Sequence, residues 1–120
     1  MATPDASAAA HLVAFTTAPT AEAGRLLVRA LVERRLVACG TVLPGGTSIY
    51  RWRGVIEEQD EALVVLKTTA ERWPDLAAAL PGLHPYEVPE LVALPVVRGH
   101  PPYLRWLSEE TAVEPRTEKE

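Results

Sequence analysis

The spacing of apolar positions along this chain changes several times, and each change marks an element. Leu12-Val13-Ala14-Phe15-Thr16-Thr17 is a short β-rich run closed by Ala18-Pro19, and it predicts a first strand. Beyond Thr20, which can cap a helix carrying Glu22 in its first turn, Ala23, Leu27, Ala30 and Leu31 recur at i, i+4, i+7 and i+8. Arg25, Arg29, Glu33 and Arg34 fall elsewhere, so the pattern predicts an amphipathic helix to about Leu36, packed on a sheet. Val37 to Leu43 and Thr47 to Trp52 are β-type runs, and Pro44-Gly45-Gly46 between them reads as a bend or bulge. The chain turns near Arg53-Gly54 and returns through Val55 to Leu66. If both arms pair, the hairpin exceeds the usual strand length of about 5–6 residues and its tip overhangs the domain.

Prolines punctuate the second half. Thr68 or Thr69 can cap a second helix running through Leu76, Ala77 and Leu80. Pro74 is tolerated only in a first turn, so this helix is expected to start late, kink at Trp73 or stop before Pro81-Gly82. The run His84-Pro85-Tyr86-Glu87-Val88-Pro89-Glu90 cannot be helical, because each Pro removes a donor and pushes the residue before it to extended geometry. It is a stiff lead into a strand over Leu91 to Val97, and Gly99-His100-Pro101-Pro102 then opens a final short helix with Tyr103, Leu104, Trp106 and Leu107. The order βαββαβ plus a terminal helix predicts an α+β, ferredoxin-like sandwich: a four-stranded antiparallel sheet with two helices on one face. It forms a single domain over residues 11–111, with residues 1–10 and 112–120 as flexible tails.

Composition narrows the functional classes. At 120 residues with 48% hydrophobic and 23% charged positions, the chain suits one soluble globular domain. A net charge of −4 without a local Lys and Arg cluster gives no footprint for nucleic acid. The single cysteine, Cys39, excludes an intrachain disulfide and a Cys-only metal cage. No signal-peptide pattern and no apolar run long enough to span a membrane are present, so a cytoplasmic protein with no membrane association is expected. No glycine-rich phosphate loop or nucleophile motif occurs, which argues against an enzyme, and no organic cofactor is indicated.

The hairpin tip concentrates Ile49, Tyr50, Trp52, Val55 and Ile56, more apolar surface than a small monomer usually leaves in water. Its long edges also call for a partner strand, so self-assembly is expected, and a closed ring suits head-to-tail edge pairing.

Several separated blocks then carry a family resemblance. They are Ala30 to Cys39, Ser48-Ile49-Tyr50-Arg51-Trp52, His84 to Glu90, Ala93-Leu94-Pro95-Val96 and Tyr103-Leu104-Arg105-Trp106. In this order they resemble the CutA-type divalent-cation-tolerance proteins from about Leu12 to Thr111. The resemblance implies a ferredoxin-like subunit in a homotrimer, with hairpins shared between subunits and an architecture similar to PII signalling proteins. It also implies tolerance of copper and other divalent metal ions, and metal binding. Where the family usually has Val-Asn after its cysteine, this chain has Gly40-Thr41.

Thiolate and imidazole favour copper or zinc, and with the resemblance this makes Cys39 and His84 the candidate metal ligands; the alternatives are a small buried hydrophobe for Cys39 and a structural hydrogen-bonding role for His84. Glu87 and Glu90 stand three apart on an extended segment and are expected on opposite faces; Glu90 is the preferred carboxylate. A second reading is a regulatory module of PII type that binds a small anionic ligand between subunits, lined by Lys67, Trp52 and Tyr86. Lys67 could alternatively pair with Glu90. A third is an assembly factor whose trimer anchors an unidentified protein partner. The run Glu57-Glu58-Gln59-Asp60-Glu61 reads as a charged turn or solvated edge, with weak attraction of cations as the alternative.

Overall fold

A computed structural model describes residues 9–113. Its elements are β1 (His11–Ala18), α1 (Ala21–Glu33), β2 (Cys39–Trp52), β3 (Val55–Thr69), α2 (Trp73–Leu83), β4 (Val92–Pro95) and α3 (Pro101–Glu110). The four strands form one antiparallel sheet in the order β2-β3-β1-β4. Together with three helices this is a small mixed α+β fold. The expectation of flexible tails falls, apart from residues 9, 10, 112 and 113, outside the described residues.

Alternation along the strands decides which side is packed. Ala14 and Ala18 of β1 and Val64 and Leu66 of β3 turn to one face, where Leu27 and Leu31 of α1 and Leu76 and Leu80 of α2 complete the core. Helix α1 lies so close that a side chain at Gly24 would meet Val42 and Val64 at 3.1 and 3.3 Å. On the opposite face Leu43, Leu63, Val92 and Leu94 are exposed, and α3 covers only the end near His11 and Lys67.

Thr20 caps α1 by accepting from the Ala23 N–H at 3.1 Å. The helix stops at Glu33 rather than Leu36, because Arg35 takes φ 58° and the Leu36 N–H returns to the Leu31 carbonyl. The Arg72 guanidinium then donates to the carbonyls of Arg34 and Arg35, satisfying the freed end.

Three further expectations are corrected. Thr68 and Thr69 belong to β3 and do not cap α2: Thr68 donates to the Leu36 carbonyl, and Thr69 accepts from Arg72 in the turn that precedes the helix. Helix α2 starts at Trp73 with Pro74 in its first turn, and it continues through Pro81 and Gly82 to Leu83. Strand β4 is limited to Val92–Pro95, pairing only with Leu12 to Phe15 of β1. Pro95 has no N–H for the ladder, and beyond it a single bond joins the Val96 N–H to the His11 carbonyl.

Candidate functional site

The hairpin outgrows the sheet. Pairing of β3 with β1 ends at Ala62 opposite Ala18, so residues 55–61 have only residues 46–52 of β2 as partners. This two-stranded arm extends roughly 23 Å at the rise of an antiparallel strand. Its turn is tight because Arg53 and Gly54 both adopt positive φ, 52° and 83°, as the right-handed twist of paired strands requires.

The bulge between Leu43 and Gly46 sets what the arm presents. Before it, Cys39, Thr41 and Leu43 lie opposite Lys67, Val65 and Leu63; after it, Ser48, Tyr50 and Trp52 lie opposite Gln59, Glu57 and Val55. The extra residue exchanges the two faces of β2. Tyr50 and Trp52 thereby join Glu57, Gln59 and Glu61 on one side of the arm.

The segment after α2 closes the other side. His84 is extended (φ −95°, ψ 141°), as the following Pro85 demands, and its ring is buried. The Tyr86 N–H donates to His84 Nδ1 at 3.1 Å, so the ring proton sits on Nε2 and is donated to the Thr17 carbonyl at 2.7 Å. The Tyr86 phenol then donates to Glu61 Oε2 at 2.5 Å. Burial first, and the Glu61 carboxylate second, raise the Tyr86 phenol well above its ordinary value.

Between the arm and this segment lies a cleft of ≈ 710 Å³. Tyr50, Trp52 and Tyr86 are aromatic members of its wall, and Glu57, Glu61, Glu87 and Glu90 all contribute to its surface; among the described residues no Lys or Arg does. Glu87 and Glu90 thus share one cleft rather than opposite faces, because residues 84–91 bend and form no strand. The five-residue acidic run is not a uniformly solvated edge either, since Glu61 is only 9% exposed. The period of the strand gave no signal for it: Glu61 falls in step with Leu63, Val65 and Lys67, on the face that α1 and α2 do not cover, where it meets Tyr86.

The remaining candidates lie apart. Cys39 is opposite Lys67 under α3, where its Sγ stands 3.6 Å from the Tyr103 hydroxyl and the Lys67 ammonium lies 5.9 Å from the Tyr103 ring centre. Burial first, and the Cys39 contact second, raise the Tyr103 phenol. Lys67 neither lines the cleft with Trp52 and Tyr86 nor pairs with Glu90. Two strand spacings and four residues of strand separate Cys39 from Thr17, the partner of His84, a distance of roughly 16 Å. Cys39 and His84 therefore do not meet within one chain. Among the described residues no group of three or more His, Cys, Asp or Glu is placed to hold a metal ion.

With this geometry in place, comparison with known proteins is decisive. Residues 12–110 match the family described as CutA1 divalent ion tolerance protein. The chain belongs to the CutA1 divalent ion tolerance family. The divalent-cation tolerance protein CutA of Thermus thermophilus is 48% identical over 99 residues, covering 82% of this chain and 96% of its own. Protein CutA of Mus musculus is 46% identical over 98 residues, and the match spans 82% of this chain but 55% of the mouse protein. The solved T. thermophilus structure has a TM-score of 0.82 at 47% identity, covering 85% of this chain and 99% of that one. The two T. thermophilus matches are named for divalent-cation tolerance and not for a catalysed reaction. A solved neighbour from Archaeoglobus fulgidus, 30% identical with a TM-score of 0.80 over 84% of this chain and 98% of that one, is described as periplasmic. Among the described residues no helix is long and apolar enough to cross a membrane.

Proposed function

We propose that this CutA1 family member is a cytoplasmic homotrimer of ferredoxin-like subunits that binds copper or another divalent ion and takes part in the response to metal ions. The supporting observation is the cleft: in a chain of a divalent-ion-tolerance family, it gathers four glutamates and, among the described residues, no basic one. Cys39 supplies a thiolate and Glu90 a carboxylate without giving up an ion pair. His84 ligates only by releasing the Tyr86 N–H, since both of its nitrogens are engaged. Because these donors stand apart in one chain, the metal site is assembled from more than one subunit.

Assembly is supported by the exposed face of Leu43, Leu63, Val92 and Leu94 and by the hairpin tip of Ile49, Val55 and Ile56. Strands β2 and β4 leave both edges of the sheet unpaired, and head-to-tail joining of such edges closes a ring. The reading with a small anionic ligand is less favoured, because the cleft's charge repels an anion and Lys67 lies outside it.

Equilibrium dialysis against Cu(I) in reducing buffer, Cu(II) and Zn(II), with metal counted per chain, tests the binding. Retention of at least one ion per chain is expected, weakened tenfold or more in Cys39→Ser, His84→Ala or Glu90→Gln. Unchanged affinity in variants that keep their assembly removes these ligand assignments; no retention of any ion removes the metal reading. Light scattering gives the copy number, expected at three times the 13.1 kDa chain. Recovery from the periplasmic fraction of cells would overturn the cytoplasmic assignment.

A further inference from the structure

Glu61 is an acid placed where an acid is costly. It is nine-tenths buried, and its partner at Oε2 is the neutral phenol of Tyr86; Oε1 has no partner among the described residues. Among the described residues no Lys, Arg or His reaches this carboxylate: their ion pairs are Arg35 with Glu110 and Arg72 with Asp75. A buried carboxylate with one neutral donor and no counter-charge is unfavourable unless a cation compensates it. The chain retains it on the wall of a cleft rather than in the closed core.

The rest of the wall says which kind of cation. Tyr50 holds its hydroxyl on Gln59 at 2.7 Å, and Tyr86 holds its own on Glu61, so both present rings rather than free hydroxyls. Trp52 adds a third aromatic surface, over which the chain's own Arg53 guanidinium already lies at 5.4 Å. Aromatic faces attract ammonium and guanidinium groups and cover alkyl chains, but they give a hydrated metal ion no oxygen or sulfur ligand. Among the described residues no three acidic, His or Cys groups converge here, whereas an ammonium needs only one or two acceptors. The volume, ≈ 710 Å³, lies within the range of small-molecule sites.

We propose that this cleft binds a small organic cation, an ammonium or guanidinium on a short apolar chain, with its charge on Glu61 and its chain against Tyr50, Trp52 and Tyr86. Glu57 and Glu90, exposed at the rim, raise the local concentration of cations. The inference uses the cleft but goes beyond the metal reading, and neither requires the other.

Calorimetric titration of the assembled protein with agmatine, which carries a guanidinium and an ammonium on a four-carbon chain, tests it. Saturable binding is expected, at least tenfold weaker in Glu61→Gln, which keeps the Tyr86 contact and loses the charge, and at least threefold weaker in Trp52→Leu. Butyrate at the same ionic strength is expected not to bind. Absence of agmatine binding, undiminished binding in folded Glu61→Gln, or butyrate binding as tight as agmatine's would each overturn the proposal. Dialysis of the same samples against Cu(I), Cu(II) and Zn(II) separates the two readings: metal retained without agmatine binding removes this proposal alone, and agmatine bound with none of these ions retained removes the other.

Discussion

Tyr86 donates its phenol hydrogen to Glu61 at 2.5 Å, tying the proline-bounded segment to the base of the hairpin arm. Removing the hydroxyl leaves the buried carboxylate without its donor. Tyr86→Phe is expected to lower unfolding stability by about 1–3 kcal/mol at neutral pH. A urea midpoint equal to the parent's would show that the bond adds nothing net.

The same bond gives a pH dependence. The folded chain holds the Tyr86 proton above its ordinary value, whereas the unfolded chain gives it up near 10, so above that pH the unfolded state binds fewer protons. The contribution of this group is therefore complete below about pH 10 and lost as pH rises beyond it. Stability followed from pH 8 to 11.5 should fall less steeply in Tyr86→Phe; parallel alkaline limbs would refute the linkage.

His84 acts as a structural clasp in the chain by itself, whatever it does with a metal. Its two hydrogen bonds join Thr17 of β1 to the backbone at Tyr86. His84→Ala is expected to destabilise the metal-free protein by about 2–4 kcal/mol, through two lost bonds and a cavity. Chelator-treated protein unfolding at the parent's urea midpoint would rule this out.

Gly40 has a local reason that no ligand supplies. A side chain here would meet Val28 of α1 at 2.8 Å and Leu66 at 2.9 Å. Gly40→Val is expected to cost about 1–3 kcal/mol by overpacking, and Val28→Ala should recover a large part of it. Thermal unfolding of the two single variants and the double variant checks this; additive effects would show that the two positions do not share the space.

Leu94 sits on the face of the sheet that the helices leave open, in register with Val13. Leu94→Glu puts a charge on an apolar surface that assembly would bury, and is expected to leave a folded monomer by light scattering with an unchanged circular dichroism spectrum. An intact trimer would place the interface elsewhere.

The element order, the capped first helix, the turn at Arg53-Gly54 and the bulge at Pro44-Gly45-Gly46 were all readable in the sequence. Each depends on local chemistry: Thr20 accepts a hydrogen bond within one turn, and Gly54 takes a positive φ by itself. Family membership was equally readable, since residue blocks kept in order survive without coordinates. What failed were boundaries set by contacts from distant parts of the chain. Thr68 and Thr69 have good capping chemistry, yet pairing with His11 and Leu12 keeps them in β3, and Arg72 brings α1 to its close. The cleft belongs wholly to this second class. The sequence determined that an imidazole, a phenol and two carboxylates sit on a stiff segment between prolines; tertiary structure alone decided that Glu61 is buried against Tyr86. The physical reason is register: one bulge residue turns Tyr50 and Trp52 onto the side of Glu57 and Glu61, and the bend after His84 brings Tyr86 across to meet them.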